Sequence, residues 1–168
     1  MKESGVTLIE LLVTLTIVII LASVAMPLSR LSTKRSHEIE LRQHLRVMRA
    51  AIDTFKQEWN RDGDVLIGTL CVKNKLACKD VTSIYGYPKS LDVLLGVKLT
   101  SEEATVRGTT LRRYLRNLPV DPMSGKADWL LRCYKDAPNA SSWCGEDVYD
   151  VMTASQDTAL DGTKYRDW

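Results

Sequence analysis

The stretch from Val6 to Met26, VTLIELLVTLTIVIILASVAM, decides how the rest of the chain is read. It is apolar throughout except for Glu10 and a few hydroxyl residues. As a helix rising about 1.5 Å per residue it spans roughly 30 Å, the thickness of a bilayer's hydrocarbon core. Serine and threonine do little harm there, because their hydroxyls bond back to helix carbonyls. Glu10 is different. A charge well inside a membrane is costly unless paired or protonated, so such a residue points to function by default.

A secretory signal peptide is the rival reading of this stretch. Ser23-Val24-Ala25 has the small-x-small pattern of a signal peptidase site, and Lys2 supplies a basic residue. Against it, Glu3 cancels Lys2, the apolar run is long, and Glu10 interrupts what should be purely apolar. Removal of the segment through Ala25 would leave Met26 first.

Beyond the apolar run, Pro27 should kink or locally melt a continuing helix. Leu41, Leu45, Met48, Ile52, Phe55 and Trp59 then recur at alternating four- and three-residue steps. This is the stripe of an amphipathic helix that packs on its own domain's core. The helix should end near Asn60–Gly63, where Asp62, Gly63 and Asp64 break it. The region Val65–Gly86 reads as loop-rich, and Tyr87–Leu95 as a short helix started by Pro88. Pro119-Val120-Asp121-Pro122 with Ser124-Gly125 is a turn cluster. Trp129–Tyr134 and Asp147–Met152 read as strands, the second with one face against the stem helix. Tyr165–Trp168 would close the sheet or cover its edge.

At 168 residues the chain suits one domain with its own core, and a net charge of +2 gives no bulk case for nucleic acid. Charge is unevenly placed. Arg30, Lys34, Arg35, Arg42, Arg46, Arg49 and Lys56 make a basic stem, and Glu146, Asp147, Asp150, Asp157, Asp161 and Asp167 an acidic end. These either attract each other between stacked copies or are two solvated faces. Arg30, Lys34 and Arg35 after the span would place that side in the cytoplasm by the positive-inside rule, but the rule weakens when a whole domain is translocated.

The four cysteines, Cys71, Cys78, Cys133 and Cys144, do not have the paired spacing of a structural zinc site. Two disulfides in an oxidising compartment suit them better than free thiols. Three connectivities are open, and the local pairs Cys71–Cys78 and Cys133–Cys144 are favoured. No Ser-His-Asp set, phosphate loop or HExxH is present, so no enzyme is expected. His37 and His44, seven apart on the stem, read as solvated. Asn139-Ala140-Ser141 fits a glycosylation sequon of the sort that arises by chance.

Gly5-Val6-Thr7-Leu8-Ile9-Glu10-Leu11-Leu12, after a short charged leader, resembles the processing motif of type IV pilins and type II secretion pseudopilins. The resemblance implies that a prepilin peptidase cuts between Gly5 and Val6 and N-methylates Val6. Glycine keeps that peptide unobstructed, and the cut creates a cationic amine one helical turn from Glu10. Within one chain the two groups have i,i+4 spacing. The resemblance implies instead that Glu10 pairs with the Val6 amine of a neighbouring subunit, setting register.

The fold it implies is α+β and pilin-like, a long N-terminal helix, half transmembrane and half amphipathic, packed on a small antiparallel sheet. Residues 1–5 form the leader, 6–27 the membrane and assembly helix, and 28–168 the head. Tyr87-Pro88-Lys89-Ser90-Leu91, then Tyr114–Gly125, then Asp147-Val148-Tyr149-Asp150-Val151 follow the order seen in G-type major pseudopilins. The cysteines, Val65–Gly86 and Met123 depart from that pattern, which keeps a type IV pilin as the alternative.

By the same resemblance the chain is a single-pass inner-membrane protein with a periplasmic head. Its partners would be copies of itself, other pseudopilins, the peptidase and an inner-membrane assembly platform. Major pseudopilins often hold calcium in a C-terminal loop, and Asp157 and Asp161 are the candidate ligands here, followed by Asp167.

Overall fold

The computed structural model describes residues 7–101, 104, 108, 110–137, 140 and 142–168, and of Pro27 the backbone alone. The leader, Gly5, Val6, Asn139 and Ser141 lie outside the described residues. The chain divides into two compact units, residues 1–39 and 40–168. Helix α1, Leu8–Trp59, contributes to both.

In the first unit, every described side chain from 7 to 26 and from 28 to 33 is exposed. The hydroxyls find partners locally. Thr14, Thr16, Ser23 and Thr33 donate to the carbonyls of Leu11, Val13, Ile20 and Ser29 at 2.7–3.1 Å. The helix neither breaks nor melts at Pro27. Proline removes one N–H from the ladder, and the bonded turns on either side carry the helix across that gap.

In the second unit the stem stripe is the core. Leu41, Leu45, Met48, Ile52, Phe55 and Trp59 are each 2 % exposed or less. Each such side chain contributes about 1.5–3 kcal/mol of gross apolar transfer energy. They pack with Leu94, Val97, Val148, Val151 and Tyr165.

The helix ends at Trp59, and its chain end is clasped by a hairpin. Strands β1 (Arg61–Asp62) and β2 (Val65–Leu66) pair antiparallel across Gly63, whose φ of 55° suits the turn. The Asn60 carbonyl accepts the N–H groups of Ile67 and Gly68 at 2.9 and 2.7 Å. A Cβ on Gly68 would lie 2.4 Å from both the Glu58 carbonyl oxygen and the Asn60 nitrogen, so only glycine fits there.

The region expected to be loop-rich instead holds two short helices, α2 (Thr69–Lys73) and α3 (Lys75–Val81). The Cys71–Cys78 disulfide joins them, and both cysteines are fully buried. Helices this short do not hold in isolation, so burial and the cross-link supply what the local sequence does not. Asn74 between them is buried, and its Oδ1 accepts the N–H groups of Thr100 and Ser101 at 2.7 and 2.8 Å.

Pro88 does not start a helix. It pairs antiparallel with Thr82, and its carbonyl accepts the Val148 N–H. Helix α4 begins later, at Asp92–Leu95. The remaining strands are β3 (Val97–Lys98), β4 (Leu111–Arg112), β5 (Leu130–Arg132) and β6 (Asp150–Met152). They form the antiparallel pairs β3–β4 and β5–β6, so among the described residues three two-stranded pairs replace the single small sheet. The ladders stay short because prolines and turns interrupt the chain between them. In β5–β6, Leu130, Leu131 and Arg132 face Met152, Val151 and Asp150.

Tyr165–Asp167 is a single 3-10 turn that packs on the stem rather than extending a sheet. Tyr165 is buried, and the Trp168 ring lies under the Arg42 guanidinium at 4.0 Å. The arrangement is α+β and pilin-like, a long N-terminal helix packed in its second half against small antiparallel strand pairs.

Candidate assembly and anchoring segment

The first half of α1 carries the residues the sequence singles out. Thr7 precedes the helix, and its side-chain Oγ1 accepts the Glu10 N–H at 3.3 Å. Its carbonyl accepts the N–H groups of Glu10 and Leu11, each at 3.1 Å. Thr7 is therefore the N-cap and Glu10 the third helical residue, in the first turn. Carboxylates are favoured there, near the positive end of the helix dipole. The sequence signal for this cap is Thr7-Leu8-Ile9-Glu10, the S/T-x-x-E pattern of a capping box.

The Glu10 carboxylate makes no ion pair or side-chain hydrogen bond among the described residues, and it is exposed. Leu8, Ile9, Leu11, Leu12 and Val13 beside it are at least half exposed. A continuous apolar surface around one carboxylate calls for lipid or another helix around it, and for a cation near the acid. The helix is long and apolar enough to cross a membrane. Gly5 and Val6, the expected cleavage pair, lie outside the described residues.

On the head, stem and acidic end meet within one chain. Arg49 Nε donates to Asp150 Oδ1 at 2.7 Å, and its Nη2 to the carbonyls of Val151 and Trp168 at 3.2 and 2.7 Å. Arg42 pairs with Asp161 at 3.2 Å. Neither pair needs a second copy. Lys56 stands 3.8 Å over the Tyr87 ring and donates to the Tyr85 carbonyl. Burial lowers the Lys56 pKa, and burial pushes the Tyr87 hydroxyl up to about 12.

Another network escaped sequence reading. Glu58 accepts from Arg112 Nε and Nη2 at 2.9 and 2.5 Å and from the Tyr114 hydroxyl at 2.5 Å, while Trp59 Nε1 donates to the Tyr114 oxygen. Burial, then the Glu58 bond, raises the Tyr114 pKa. His44 is not simply solvated either. Its Nδ1 lies 2.9 Å from the Val120 carbonyl.

The second disulfide joins Cys133 to Cys144. Cys133, Asp136 and Cys144 are the one cluster of three metal-capable side chains among the described residues. Both sulfurs are spent on each other, so one carboxylate remains, which is no metal site. Asp157, Asp161 and Asp167 do not converge. Asp161 Oδ1 accepts the N–H and hydroxyl of Thr163, at 2.9 and 2.6 Å, and Oδ2 faces Arg42. The Thr163 bonds, followed by Arg42, hold its carboxyl below the usual range. As folded, Thr163 and Arg42 occupy both Asp161 oxygens, and these three carboxylates form no cluster of side-chain ligands among the described residues.

Residues 1–26 match the family model for the prokaryotic N-terminal methylation motif. Among curated proteins and solved structures nothing matches the chain significantly. The motif supports a type IV pilin-like subunit, processed at its N-terminus and able to polymerise. It covers the segment expected as a leader, the Thr7 cap, Glu10 and the apolar run.

Proposed function

We propose that this chain is a structural filament subunit, a pseudopilin of a type II protein secretion system, and not an enzyme. The observation that carries the reading is the methylation-motif match on the same residues that form an exposed apolar helix with a lone carboxylate in its first turn. Cleavage between Gly5 and Val6 and methylation of Val6 leave a cationic amine. In an apolar environment that amine and the Glu10 carboxylate of a neighbour neutralise each other, and a one-residue slip leaves both unpaired. Glu10 thus sets register in a periplasmic filament anchored in the inner membrane, with prepilin peptidase, an assembly platform and further pseudopilins as partners. The disulfides support a head held in an oxidising compartment.

The test is Glu10→Ala in cells. The variant should insert into the membrane at the normal level, yet cross-link into far fewer multimers. Unchanged multimers would remove the register role.

A type IV pilin of a surface fibre is the second reading, favoured by the disulfide-tied α2–α3 pair, which lies in the region that departs from the G-type pattern. Electron microscopy separates them. Long surface fibres containing this chain at its natural expression level indicate the pilin, and short envelope-confined filaments the secretion subunit.

A further inference from the structure

Arg30, Lys34 and Arg35 follow the apolar run on the same helix, because α1 runs unbroken through Pro27. Helix geometry therefore fixes their place relative to that run. Exposed large apolar side chains continue past Met26 to Leu28 and Leu31, and then stop until Ile39. The apolar surface ends near Leu31, one residue past Arg30. From Leu31 to Arg35 the helix rises about 6 Å. That is close to the depth of one headgroup layer, roughly 5–8 Å. Helical side chains lean back toward the helix N-terminus, so these three reach toward the end of the run.

The charge here has one sign. No Asp or Glu lies between Glu10 and Glu38. Glu38 is buried. Arg30 and Arg35 are exposed and form no ion pair among the described residues. Lys34, between them in sequence, is half-buried. Positions 30, 34 and 35 of a helix cover an arc of about 140°, so the charges form a partial collar at the end of the apolar surface.

We propose that Arg30 and Arg35, with Lys34 adding to their field, bind the phosphates of anionic lipid headgroups in the leaflet where the apolar run ends. A guanidinium takes two phosphate oxygens at once. One basic residue beside an anionic surface favours binding about fivefold. The site rests on the reading of the apolar run as a membrane span.

The experiment places the full chain in nanodiscs of equal phosphatidylglycerol and phosphatidylcholine, and native mass spectrometry counts the lipids that leave with it. Retained phosphatidylglycerol should exceed phosphatidylcholine about threefold or more. Arg30→Gln together with Arg35→Gln should remove most of that excess, and Arg30→Lys with Arg35→Lys should keep most of it. Both positions are exposed, so the core is untouched in either variant. No excess in the wild type, or one that the double glutamine variant leaves unchanged, overturns the site. Carbonate extraction from vesicles of the same lipids reads the anchor separately. A chain that carbonate strips off overturns the span and this site with it, whereas a chain that stays without a phosphatidylglycerol excess overturns the site alone.

Discussion

Thr7 caps the turn that carries Glu10, its hydroxyl accepting the Glu10 N–H at 3.3 Å. The bond fixes where α1 starts and therefore that the carboxylate sits in the first turn, three residues past the cap. A helix that began after Glu10 would leave its carboxylate out of the first turn and away from the positive end of the helix dipole.

Removing the cap should loosen that turn. Thr7→Ala is expected to cost about 0.5–2 kcal/mol locally, and Thr7→Ser much less. Hydrogen exchange at the Glu10 and Leu11 amides in nanodiscs reads this directly. The Ala variant should exchange several-fold to about 30-fold faster, and Ser should restore protection. Equal exchange in all three would show that the cap does not hold the turn.

Arg49 and Arg42 should differ in stability despite similar chemistry. Arg49 reaches Asp150 and two main-chain carbonyls from a half-buried position, so Arg49→Met should cost about 1–3 kcal/mol in denaturant melts. Arg42–Asp161 is about half exposed on both sides, and Arg42→Ala should cost under about 1 kcal/mol. A larger loss at Arg42 than at Arg49 would contradict this ranking.

These long-range pairs mark where the sequence stops being legible. The Leu41–Trp59 stripe could be read because helical periodicity is local, and every member is buried. The runs that form β5 and β6 are legible as strands, whereas their pairing with each other is not. By contrast, Arg49 and the Trp168 carbonyl lie 119 positions apart, and nothing local predicts their bond. The α2–α3 pair was unreadable for a different reason: helices of five and seven residues are held by Cys71–Cys78 and by burial, not by propensity. Pro88 misled because its carbonyl serves Val148 across the fold. The Thr7 cap could have been found, since its motif is four residues long.

Alkaline pH should weaken the head through its tyrosines. Burial raises Tyr87 from about 10 to about 12, and Tyr114 is raised as well. A raised pKa means that the folded state keeps protons the unfolded chain releases. The stabilisation is therefore whole below pH 10 and is lost as pH rises towards 12. Lys56, lowered by burial, acts in the opposite direction over its own window below 10.5. The Lys56 window closes at 10.5, so above it the two tyrosines give the fall unopposed. Melts from pH 8 to 12 should show the decline, and Tyr87→Phe should make it shallower. A Tyr87→Phe curve parallel to wild type would rule out the Tyr87 contribution.

The account rests most on where the mature chain begins. Intact-mass and N-terminal fragment analysis of the membrane-extracted protein should find Val6 as the first residue, carrying one added methyl group, with Glu10 retained four residues on. A mature chain starting at Met26 would mean that the apolar run is a discarded signal peptide. A chain still carrying Met1 through Gly5 in cells with an active prepilin peptidase would contradict processing at this motif, and with it the filament reading.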